Sequence, residues 1–264
     1  MVRLAVAGRV RGTGTVEEMS SSPVEISISP RRVGLVLAAA IALLLAAHTA
    51  GQIAKFAFGQ DYIFGLVPAF YFDREANVPT WFSAAMLLLC ALALLSIGTL
   101  TAQRGRQYAR HWQSLAVVFA YLSVDETATI HEHIGPLLRE PLNRLSDTLG
   151  GLLTTLAELP TFAWTLPAIA IIVAASPWYV GFFKSLPRVT RVRFGLAAIC
   201  LVTGGIGVEL LGAQYISIVG ARDGGFAVLV TIEELLEMIA VAIFLHALLT
   251  YIDLQFGSVT IRIG

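Results

Sequence analysis

Seven acidic residues lie inside stretches that are otherwise apolar enough to cross a bilayer: Asp125, Glu126 and Glu132 in one, Glu209 in a second, and Glu233, Glu234 and Glu237 in a third. An ionised carboxylate facing lipid near a helix midpoint costs roughly 2.5–3.5 kcal/mol, so seven would cost on the order of 20 kcal/mol. They must face protein and be neutralised there. Basic groups at the same depth are few: His131, His133 and, at the rim, Arg74, Arg139 and Arg222. Ion pairing therefore leaves acids over, and the surplus is either protonated or bound to cations. Carboxylates with imidazole suit Fe, Mn or Zn, and carboxylates alone suit Ca or Mg. The metal-site candidates are Asp125, Glu126, His131, Glu132, Glu209, Glu233 and Glu237, with Glu126 or Glu234 as general base. Neither His-Glu-x-x-His nor the Glu-x-x-His of ferritin-like di-iron proteins occurs, and a third histidine, His48, is remote in sequence.

The elements that must position these groups are helices. A turn of about 100° per residue puts Asp125, Thr129 and Glu132 on one stripe, bordered by Glu126 and His133, with His131 pointing away. Glu233 and Glu237 are i, i+4 neighbours, with Glu234 beside Glu237. Apolar runs predict an all-α, polytopic bundle of six spans: 33–56, 79–101, 112–138, 160–183, 194–213 and 226–252. The glycines of Thr203-Gly-Gly-Ile-Gly-Val-Glu209 allow a close helix crossing. With 56% hydrophobic and 14% charged residues, the chain is far from a soluble domain of its length. Nucleic acid is excluded as a partner by the absence of a basic face, and membrane lipids are expected instead. Cys90 and Cys200 stand in apolar segments without metal or redox spacing.

Arg104, Arg106 and Arg110 follow the second run, and Lys184, Arg188, Arg191 and Arg193 follow the fourth. By the positive-inside rule those loops are cytoplasmic, as are both termini, in a bacterial inner membrane. Residues 1–32 read as a flexible cytoplasmic tail, with Met19 as an alternative start, 33–252 as the membrane domain and 253–264 as a short tail. This orientation places all seven acids in the outer half of the bilayer. Two outer segments flank them: Phe70 to Phe82, whose Asp73, Glu75 and Asn77 form a candidate lid, and the amphipathic stretch 139–159.

Three stretches, Phe72-Asp-Arg-Glu-Ala-Asn-Val-Pro-Thr-Trp-Phe-Ser83, Leu122-Ser-Val-Asp-Glu-Thr-Ala-Thr-Ile-His-Glu132 and Thr231-Ile-Glu-Glu-Leu-Leu-Glu-Met238, carry a likeness. In them the chain resembles a widespread, uncharacterised family of bacterial multi-span membrane proteins. The resemblance implies that Asp73, Glu75, Asn77, Asp125, Glu126, His131, Glu132, Glu233, Glu234 and Glu237 are signature residues. It favours His131 over the His133 of the helical stripe, and it implies no reaction. The expected function is a metal-dependent membrane enzyme acting on a lipid or hydrophobic substrate. The alternatives are a proton- or cation-coupled carrier or channel, and an accessory subunit of a membrane complex. Few polar groups on the cytoplasmic half (Thr250, Ser96, His246) and no inverted repeat rank transport below an enzyme.

Overall fold

The computed structural model describes residues 3–5, 24–27, 29–131, 133, 137, 144, 162–257 and 260–263. Its helices are α1 Pro30–Phe58, the short α2 Leu66–Phe70, α3 Val78–Gln103, α4 Ala109–Ala128, α5 Phe162–Ser185, α6 Arg188–Val202, α7 Glu209–Val219 and α8 Gly224–Phe256. A π-helical segment, Thr203–Val208, joins α6 to α7, so Arg188–Val219 runs as one rod.

The starts of these helices are written locally. Pro30 opens α1, where a missing N–H costs nothing. The Asn77 side chain accepts from the Thr80 N–H to cap α3, and the Asp223 carboxylate accepts from the Gly225 and Phe226 N–H groups to cap α8. Between their ends α1, α3 and α5 are apolar on every side. Leu35, Leu43 and Ile53 of α1 and Ile171 of α5 are more than half exposed, as expected where lipid rather than water is the neighbour.

Among the described residues, four helical stretches are long and apolar enough to cross a membrane: Pro30–Phe58, Val78–Gln103, Pro167–Ser185 and Arg188–Val219. Six were expected. The two long helices outside that group, α4 and α8, are the ones that carry the acids. The 20 residues of α4 include Arg110, Asp125 and Glu126, which lower its hydropathy. The expected span 112–138 is not one helix. α4 stops at Ala128, where Thr129 takes a left-handed conformation (φ 48°, ψ 40°) and its N–H bonds the Asp125 carbonyl at 2.7 Å.

α8 is the axis of the fold, packing on α1, α3, α6, the π segment and α7, while α4 lies along α3. Basic residues gather at one end of this bundle. There Arg104 bonds the Gln255 carbonyl at 3.0 Å, Arg106 reaches the Gln255 side chain at 3.3 Å, and Arg193 reaches Thr250 at 3.0 Å. Three short strands lie at the same end. Thr260–Ile263 pairs antiparallel with both Arg3–Ala5 and Val24–Ser27, which keeps the start of α1 and the end of α8 together. The half nearest this end is closely packed. Leu94, Ile97, Trp112, Leu245, Leu248, Ile252 and Phe256 are all buried, and the Trp112 ring lies 4.8–5.0 Å from those of Phe182 and Tyr251.

Candidate functional site

The acids occupy the opposite end. α4 delivers Glu126 one turn before its break, α8 delivers Glu233, Glu234 and Glu237, and the loop before α3 delivers Glu75. The Glu126 carboxylate feels those of Glu237, Glu75 and Asp125, and Glu234 feels Glu237, Glu126, Glu233 and Glu75. Five glutamates from three segments thus share one electrostatic neighbourhood. Among the described residues, no ion pair links Glu126, Glu233, Glu234 or Glu237 to a basic group.

The π segment closes the cluster from the side. A Cβ on Gly204 would come within 2.9 Å of the Glu233 carbonyl oxygen and 3.1 Å of the Leu236 Cβ, and one on Gly205 would strike the Glu237 carboxylate. Only glycine allows this approach, so the close crossing expected of the glycine run is made against the acid-bearing turn of α8. π-Bulges are frequent at functional sites. Glu209, half-buried, heads α7 directly after this segment.

The left-handed break after Ala128 redirects the rest of the motif. His131 turns back on Asp125: its N–H donates to Oδ1 at 2.9 Å, and its Nδ1 lies 2.8 Å from Oδ2. Both Asp125 oxygens are thereby occupied. His133 is exposed, with Nδ1 against the Thr129 carbonyl at 2.8 Å. The single stripe of Asp125, Thr129 and Glu132 is therefore corrected, because the helix that would carry it ends first, and His131 rather than His133 joins the acids. Glu132 and the stretch 139–159 fall outside the described residues.

Among the described residues no group of three or more His, Cys, Asp or Glu side chains is placed to hold an ion. Among the described residues, His131 Nδ1 lies against Asp125, and the groups that Glu126 and Glu234 feel are carboxylates.

Of the three lid candidates, Glu75 reaches the cluster. Asp73 sits at its edge, felt by Glu233, and binds Arg222 at 2.9 Å and the Tyr71 hydroxyl at 3.2 Å. Burial, and then the Asp73 charge, push the Tyr71 phenol well above its ordinary range and keep it a donor. Asn77 is structural: its amide N–H groups donate to the Tyr71 and Pro68 carbonyls, and its Oδ1 caps α3. An open cavity of about 550 Å³ lies under this loop, lined by Tyr62, Pro68, Arg74, Asn77 and Trp81 among others.

The family model that matches residues 35–252 is described as a domain of unknown function (DUF8692). The chain belongs to this family. No curated protein matches, and no solved structure matches.

Sequence reasoning missed His48. Its ring is 1% exposed and stacks on Phe72 at 4.1 Å and Tyr71 at 5.8 Å. The Phe72 N–H donates to Nδ1 at 3.1 Å, so Nε2 carries the hydrogen, which goes to the Thr231 hydroxyl at 2.9 Å. Thr231 in turn donates to the Ala227 carbonyl at 2.6 Å. This fully satisfied chain ties the outer loop to α1 and to the turn of α8 just before Glu233. A histidine in an apolar run with Thr in a facing run was the only sequence signal.

Proposed function

We propose that the chain is a six-span protein of the bacterial inner membrane with both termini cytoplasmic, and that its five-glutamate cluster is an outward-facing acid–base site acting on a lipid or other hydrophobic substrate. Two features support six spans: α8 packs on five neighbouring elements and α4 lies along α3 with Asp125 buried, and the basic loops share one end. One observation carries the functional reading. The carboxylates gather at one end of the bundle, while the other half is closely packed around Leu94, Ile97, Trp112, Leu245 and Leu248. A carrier needs polar groups along its full length. An enzyme or receptor needs them at one depth.

In this reading the clustered carboxyls supply an acid and a base at one site. Glu126, at the α4 break, and Glu234, amid the other four, are assigned the proton-transfer roles. The loop carrying Glu75 covers the substrate.

The test is incubation of purified protein with a bacterial total-lipid extract, followed by mass spectrometry. Wild type consumes one lipid class, and Glu126→Gln and Glu234→Gln slow that by roughly 10²–10⁴-fold. A wild type that consumes nothing, yet drives flux under a proton gradient in liposomes, refutes the enzyme reading.

A further inference from the structure

The open cavity of about 550 Å³ under the outer loop has a lining opposite in character to the glutamate cluster. Its polar side chains are Tyr62, Arg74, Asn77 and Trp81, and no aspartate or glutamate is among the residues that line it. The Asn77 amide is already engaged by two backbone carbonyls and by the cap of α3. What remains is a guanidinium with five N–H donors, a phenol and an indole N–H. Asp73, before Arg74, binds Arg222, and Glu75, after it, belongs to the cluster. Arg74 itself enters no ion pair among the described residues. A cavity whose one charge is positive and whose donors outnumber its acceptors suits an anion with several oxygens, and the guanidinium fork matches phosphate oxygens in pairs.

The rim indicates what carries that anion. Tyr62, Leu66 and Trp81 are exposed, and Phe64 is 96% exposed. Aromatic residues left outward at the end of a membrane bundle belong at the level of the lipid headgroups. The backbone beside the cavity is held in a costly form: Ile63, Phe64 and Ala76 take left-handed φ values of 35°, 54° and 56°. Such strain clusters at ligand clamps. We propose that this cavity seats the phosphate of an anionic phospholipid of the outer leaflet, held by Arg74 with Tyr62 and Trp81 as further donors. A zwitterionic headgroup fits less well, because its ammonium finds no carboxylate in the lining. The seat rests on the membrane-spanning reading and does not require the acid–base one. Because Arg74 and Glu75 are consecutive, a lipid held there lies beside the carboxylates.

The test is native mass spectrometry of the detergent-purified chain with phosphatidylglycerol, phosphatidylcholine and diacylglycerol of identical acyl chains. Wild type is expected to retain one phosphatidylglycerol in preference to both others. Arg74→Gln weakens that by about tenfold or more, the worth of one charge-assisted hydrogen bond, and leaves the Thr80 bond to the Arg74 carbonyl in place. Val78→Trp, at an exposed position in the lining, fills the cavity and abolishes retention. Arg222→Gln removes a guanidinium at the same end of the bundle but outside the lining, and leaves retention unchanged. Equal retention of phosphatidylglycerol and either other lipid, retention unchanged in Arg74→Gln or Val78→Trp, or an equal loss in Arg222→Gln overturns the proposal. Displacement of the lipid by an equimolar amount of glycerol phosphate would make a soluble phosphate ester the ligand and overturn the lipid assignment. A chain that fractionates without detergent would instead sink the membrane reading itself.

Discussion

Gly204→Ala and Gly207→Ala are the same substitution three residues apart, and the structure assigns them opposite signs. At Gly204 the new methyl would sit 2.9 Å from the Glu233 carbonyl oxygen and 3.1 Å from the Leu236 Cβ. Neither atom lies at the end of a flexible side chain, so the π segment and α8 must part by several tenths of an ångström. Overpacking of this kind costs about 1–3 kcal/mol, offset by the roughly 1 kcal/mol by which alanine is the better helix former. The net loss is up to about 2 kcal/mol, and at about 2–4 °C per kcal/mol for a chain of this size Tm falls by up to about 8 °C. At Gly207 the nearest atom is the Val202 carbonyl oxygen at 3.9 Å, an ordinary contact, so only the helix gain remains. Its Tm should rise by about 2–4 °C. Both are read by thermal unfolding in one detergent at one pH. A Gly204→Ala protein at least as stable as Gly207→Ala would refute the packing of the glycine segment on the glutamate-bearing turn.

Gly205→Ala meets the movable end of Glu237, so it should leave Tm nearly unchanged while displacing that carboxylate, and lipid turnover should fall more than stability. Thr231→Val deprives the His48 Nε2–H of its acceptor in a site that is 1% exposed, and should cost about 1–3 kcal/mol, checked by unfolding against a Thr49→Val control. The Arg222–Asp73 pair, with its guanidinium side 64% exposed, should contribute less than about 1 kcal/mol in a double-mutant cycle and fade as salt rises. Asp223 is held below the usual carboxylate range, first by the Phe226 N–H and then by the Tyr215 hydroxyl. Its folded pKa is therefore the lower one, so its stabilisation is present above its unfolded pKa and is lost as pH falls through the folded value. Asp223→Asn keeps a capping oxygen but does not titrate, so its stability deficit relative to wild type should shrink as pH falls below the ordinary carboxylate pKa of about 4. Elemental analysis of the purified chain gives the last check: stoichiometric metal lost in Glu234→Ala would return the cluster to the metal-dependent reading.

Apolar runs located the helices because bilayer-length stretches such as Pro30–Phe58 and Val78–Gln103 leave few alternatives. The glycine run 203–207 announced a close crossing, and the structure supplies its partner at Glu233–Glu237. The break at Ala128 was not legible. Thr129 adopts φ +48° although threonine rarely does, and no glycine or proline marks the spot. An unbroken helix drawn through it sent His131 the wrong way, and only the family likeness in the motif spoke for it. Asn77 was visible as a polar residue in a charged loop, but its amide is engaged by caps and turns, which only backbone geometry reveals. His48 was hidden for the same reason: Phe72 and Thr231 lie 24 and 183 residues away along the chain.

In the proposed function the glutamates open to the outer side and not through the protein. Cys90 is buried, and Cys200 is replaced by serine to clear the background. Glu233→Cys is then expressed in cells and exposed to a membrane-impermeant thiol reagent, added from outside to whole cells or from the cytoplasmic side to inverted vesicles. Labelling from outside alone is expected. Labelling from the cytoplasmic side, or equally from both, would contradict it.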